Sequence, residues 1–137
     1  MWRTGQPWAA LTEQIDTGFR DPTVRAFITH LWAMAPATLL VFAASAPPQC
    51  GAYILLAHDG RLLYAGSAYG RGGLRRRLGQ HLAHVRASEY GEQWTIRTVW
   101  CKVVPTEDAD QAQVLELLTQ RILRPAAFST PRLRLVP

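Results

Sequence analysis

Between Gly60 and Leu82 the chain has no aspartate or glutamate, although Arg61, Arg71, Arg75, Arg76 and Arg77 all lie there. A stretch this one-sided excludes local ion pairing as the fate of its arginines, and it leaves a basic face for an anionic partner. Cysteine is scarce. Cys50 and Cys101 are the two present, and neither stands at a metal-ligand spacing; they read as reduced, partly buried thiols rather than a disulfide framework or a zinc site. Long apolar runs are missing as well. The longest, Pro36 to Pro48, is broken by proline and falls short of the roughly twenty residues a bilayer span needs. No signal peptide, internal repeat or low-complexity tract is visible, and no zinc finger or helix-turn-helix, which leaves sequence-specific reading of DNA without a dedicated module. These absences predict a soluble, cytoplasmic protein with no membrane partner.

What is present suits one packed domain. The chain has 137 residues, 48% hydrophobic and 18% charged, with a formal net charge of +5. That balance is globular, and its excess of positive charge points to nucleic acid before any other anion.

Residues 1–49 read as a helical extension. Asp21-Pro22 is a helix start, with aspartate as N-cap and proline at the first helical position. Val24, Phe27, Ile28 and Leu31 then recur at helical spacing, and Pro36 ends or kinks the helix. The segment ATLLVFAAS is either a second short helix or a strand. Pro47-Pro48 reads as a linker into a second unit, residues 50–130, followed by a tail over 131–137.

In that second unit AYILLAH and RLLYAG flank His58-Asp59-Gly60, a hairpin signal. A tight turn there makes Tyr53 and Tyr64 neighbours across the ladder. A glycine-rich loop follows, then a helix from Leu74 to about Arg86 whose apolar stripe is Leu74, Leu78, Leu82 and Val85. WTIRTVWCKVV reads as a strand stopped by Pro105. Thr106 is the expected cap of a last helix, Glu107 to about Leu123. The order predicts an α+β fold: a small antiparallel sheet of about three strands flanked by helices.

Each chemistry-bearing residue has a plain structural alternative. The two tyrosines are common strand residues that pack. Arg77, His81 and His84 share a helix face at i, i+4 and i+7, which serves equally as a solvated surface. As a binding surface it would be a phosphate site, because guanidinium forks match phosphate oxygens and Gly70, Gly72 and Gly73 let backbone N–H groups approach an anion. Glu116 falls at the edge of the buried stripe Ala112, Leu115, Leu118 and Ile122, either as a surface group or as a ligand for a hard cation.

Taken together these residues carry a resemblance. GAY, ten residues, then YAG, followed by LRRRLGQHL, a strand and LELLTQRILRP, resembles the GIY-YIG nuclease superfamily over roughly residues 50 to 128. YAGSAYGRGGLRRRLGQHL is further similar to a branch of that superfamily, Y-V-G-S-A…G-G-L…R…H, some of whose members are fused to base-excision repair enzymes. The resemblance implies a GIY-YIG-like fold and a metal-dependent endonuclease hydrolysing DNA phosphodiester bonds, with branched or damaged DNA in repair as its substrates. It places the catalytic roles on Tyr53, Tyr64, Arg77, His81 and Glu116, with Glu116 holding a divalent ion, magnesium or else manganese. The surrounding DNA contacts would come from Arg71, Gly73, Arg75, Arg76, His84 and Arg86. In the mechanism it implies, Arg77 clamps the phosphate, Tyr53 orients water, and either Tyr64 or His81 is the base. A homodimer would suit a site that cuts one strand. There are departures: Ser67 stands where the better-known nucleases carry lysine, Phe128 where they carry asparagine, and WTIRTV where the branch has W-H-I-D-Y-L. A binding module that has lost catalysis, an enzyme reusing the tyrosine pair on a small substrate, and an interaction protein with a solubilising face remain as other readings.

Overall fold

A computed structural model of the chain describes residues 19–87, 98–125 and 127–128. Helix α1 is Pro22–Leu31, begun as the sequence predicts: Asp21 caps it by accepting from the Thr23 N–H at 2.8 Å. It ends well before Pro36. Trp32 is its C-cap, held there by Lys102, whose Nζ donates to the Trp32 carbonyl at 2.7 Å. The ambiguous ATLLVFAAS is both a strand and a helix. Ala37–Thr38 is a two-residue strand, β1, and Leu39–Ser45 is helix α2, capped by the Thr38 hydroxyl.

The hairpin follows as β2, Gly51–Ala57, and β3, Leu62–Ala68. Its connection is not a two-residue turn but the four residues 58–61, closed by hydrogen bonds from Ala57 N to the Arg61 carbonyl and from Gly60 N to the Ala57 carbonyl. Consequently Tyr53 stands opposite Gly66 and Tyr64 opposite Leu55. The tyrosines are diagonal neighbours on one face, not a directly opposed pair. Helix α3 spans Gly73–Ala87, β4 Thr98–Pro105, α4 Ala109–Leu123 and β5 Ala127–Phe128. Residues 94–97 of the expected strand lie outside the described residues. The cap of α4 is Asp108, which accepts from Gln111 N at 2.9 Å. Thr106, the residue expected in that role, is occupied elsewhere: its N–H binds the Cys50 carbonyl and its hydroxyl the Asp108 carbonyl.

The fold is α+β. The sheet runs β1-β4-β2-β3-β5, antiparallel throughout except for the short β5, which lies parallel to β3. The three long strands are the ones the sequence predicts. Strand alternation splits the core in two. Ala52, Ile54, Leu56 and Ala65 pack with Ile28 and Trp32 and with Val114, Leu115 and Leu118 of α4. On the other face Tyr53, Leu55, Tyr64 and Ala68 pack with Leu39 of α2 and with Leu74 and Leu78 of α3. Residues 28, 32, 39 and 46 of the N-terminal segment are thus built into both cores. The indole of Trp32 donates to the Thr119 hydroxyl at 2.9 Å, joining the end of α1 to α4. No helix among the described residues is long and apolar enough to cross a membrane.

Candidate active site

The α3 face of the hairpin collects four of the predicted side chains. Leu74 and Leu78, both fully buried, anchor α3 to the sheet, and that fixes the neighbouring face one turn apart where Arg77 and His81 lie. The Tyr53 hydroxyl is 2.6 Å from His81 Nε2, and Arg77 Nε donates to the same hydroxyl at 3.3 Å. The three rings form one cluster, with centroids 6.0 Å apart for Tyr53 and Tyr64, 5.4 Å for Tyr53 and His81, and 5.1 Å for Tyr64 and His81. Arg77 is half-buried and also donates to Gln80 Oε1 at 3.0 Å.

Burial, reinforced by Tyr64 and by the charge of Glu116, holds the Tyr53 phenol well above its ordinary range, against the pull of Arg77. Tyr53 is therefore a neutral phenol that accepts from Arg77 and shares a hydrogen bond with His81 Nε2.

Beside this cluster opens a cleft of about 210 Å³ lined by Ser67, Tyr69, Arg71, Gly73, Arg76 and Arg77, with no acid among the described residues of its wall. Gly73 has φ +46°, and a Cβ there would press on the backbone of Gln49 at 2.3 Å, so only glycine lets α3 start this close to the chain before β2. The cleft takes only part of the predicted basic set. Arg75 points the other way and donates to the Ala46 carbonyl at the end of α2, at 2.8 Å. The side chains of His84 and Arg86 lie outside the described residues.

Glu116 departs from its expected place. It is not at the rim of the α4 stripe but inside it, 2% exposed. One carboxylate oxygen accepts the Ser67 hydroxyl in a short hydrogen bond and the other accepts the Gln120 amide at 3.1 Å. Gln120 also donates to the Ala65 carbonyl at 3.1 Å. Ser67 shares the sheet face of Ala65, so Glu116 reaches the end of β3 from the α4 side while Arg77 reaches it from the α3 side. Tyr53 and Tyr64 are sealed too, at 1% and 3% exposed.

Three partners went unread in the sequence: Gly66, Ser67 and Gln120. The period-two alternation of β3 carried the signal for Ser67, two residues beyond Ala65, and the i, i+4 spacing carried it for Gln120 beside Glu116. The sequence matches no protein-family model and no curated protein.

Proposed function

We infer that the protein binds DNA phosphates in the arginine cleft and hydrolyses a phosphodiester bond there, as an endonuclease of the GIY-YIG kind working in the cytoplasm. The observation that carries this reading is the hydrogen-bonded run from Arg77 through the Tyr53 hydroxyl to His81 Nε2, beside a wall that holds Arg71, Arg76 and Arg77. Arg71, Arg76 and Arg77 neutralise a seated phosphate, and Arg77, held in place by Tyr53 and Gln80, is preorganised for the charge that grows in the transition state. For hydrolysis the attacking water has to reach the Tyr53 hydroxyl, which is sealed here at 1% exposed, and its proton then passes along the hydrogen bond between Tyr53 and His81. A phenol whose ionisation is suppressed does not keep the negative charge, whereas an imidazole accepts a proton near neutral pH.

Glu116, as placed here, does not fit the magnesium ion that the resemblance implies. A carboxylate is the right donor for that ion, but both of its oxygens are engaged by Ser67 and Gln120 and almost none of it meets solvent. No step is therefore routed through a metal. The role of Glu116 in this arrangement is to hold the end of β3 and to add to the field that keeps Tyr53 neutral.

The burial of Tyr53, Tyr64 and Glu116 favours a second reading, a DNA-binding module whose catalytic pocket stays closed. Nicking of supercoiled and branched DNA, with and without magnesium, separates the two. Hydrolysis predicts nicking by the parent protein and a loss of about 100-fold or more in His81→Gln, with DNA binding retained. Salt-sensitive binding with no nicking in any buffer establishes the module instead.

A further inference from the structure

Tyr69 is the aromatic side chain among the described residues of the cleft wall. It follows β3 directly and stands half-exposed among Arg71, Arg76 and Arg77. The loop beside it is open: Gly70 has φ +79°, and a side chain there would meet nothing within 4 Å. Arg76 and Arg71 are exposed, and Arg76 Nη1 donates to the Arg71 backbone carbonyl at 3.4 Å. The cleft therefore brings two kinds of group side by side, guanidinium groups for a phosphate and an aromatic side chain. The cleft, of about 210 Å³, places these groups along one wall.

We propose that the cleft takes an unpaired nucleotide, with its phosphate on Arg71, Arg76 and Arg77 and its base stacked on Tyr69. This rests on the phosphate reading of the cleft and goes beyond it by naming single-stranded or splayed DNA as the form bound. In a duplex the bases are stacked on one another and only the phosphates reach outward, so an aromatic wall earns nothing from it. An unpaired base has a free π-face, and stacking on an aromatic side chain tolerates any sequence. That tolerance matches a chain in which no dedicated sequence-reading module is visible.

The test compares three labelled probes of equal length at one fixed salt concentration: oligothymidylate, the same strand with its bases removed, and a duplex. Fluorescence anisotropy gives the affinities. The parent binds oligothymidylate at least about fivefold more tightly than the abasic strand, and more tightly than the duplex. Tyr69→Leu lowers oligothymidylate to the abasic level without changing the salt slope, because the phosphate contacts remain. Tyr69→Phe keeps the parent's preference. Equal affinity of the parent for oligothymidylate and the abasic strand overturns the stacking proposal, and this comparison needs no variant to fold. Tighter binding of the duplex also overturns it. Equal, steeply salt-dependent binding of all three probes leaves the phosphate reading intact, whereas no binding to any of them removes both.

Discussion

Gly66 is the residue on which the ring cluster depends. A Cβ at this position would lie 2.6 Å from the Tyr53 hydroxyl oxygen and 2.8 Å from a ring carbon of Tyr64. The phenol of Tyr53 crosses the partner strand at the only kind of residue that leaves it room. Gly66→Ala should accordingly cost about 1–3 kcal/mol, the usual penalty of overpacking, read as a lower urea midpoint at unchanged slope. Tyr53 itself makes stability depend on alkaline pH. Its folded pKa is raised, chiefly by burial, so the folded state resists ionisation that the unfolded chain undergoes near pH 10. The contribution is fully present below that pH and is lost above it. Cys101, also raised by burial, acts with the same sign. Chemical denaturation across the alkaline range should show a decline in stability that is shallower in Tyr53→Phe than in the parent. At this scale the sequence was informative about residue type and less so about surroundings. That Tyr53 and Tyr64 share a strand pair, and Arg77 and His81 a helix face, was legible because those spacings are local to one hairpin and one helix. The sealing of Glu116 was not, because its partners Ser67 and Gln120 come from a strand 49 residues away and from the next turn of its own helix.

Elements were legible where one periodicity governed them. The stripe of α3 holds: Leu74 and Leu78 are fully buried, and Leu82 and Val85 are packed against the same core. The cap of α1 holds because an N-cap is a contact between residues two apart. The start of α4 was misread because Thr106 is drawn away by Cys50, the residue just before β2. The strand β1 was legible only as one of the two options for ATLLVFAAS. Two residues carry no period, and Ala37 and Thr38 are extended only because Cys101 and Trp100 pair with them. Arg75 belongs to this scale as well. By residue type it matches Arg76 and Arg77, but the pitch of α3 turns it toward α2, where its Nε closes the last turn of that helix on the Ala46 carbonyl. Three consecutive arginines thus divide between an interhelical tie and the wall of the cleft.

In the whole molecule, helices on both faces of the sheet bring two sets of polar side chains to the end of β3. Arg77 and His81 arrive from the α3 layer, Glu116 and Gln120 from the α4 layer, and Ser67 meets both the cleft and the carboxylate. The α+β class was legible from the order of elements. The layer to which each helix went was not, since amphipathic stripes do not say which face of a sheet they cover. That division of the arginines gives the most direct measurement of the central claim, that the cleft beside Tyr53 and His81 is where a DNA phosphodiester is held and cut. It is the nicking rate on supercoiled DNA of Arg77→Ala set beside that of Arg75→Ala, with the salt dependence of binding taken on the same samples. The account predicts that Arg77→Ala loses at least about 100-fold in rate, the scale of one removed transition-state donor. It also flattens the salt slope by about one phosphate contact, while Arg75→Ala keeps the parent's rate and slope. Equal losses in the two variants would contradict it and reduce the arginines of α3 to a general basic face.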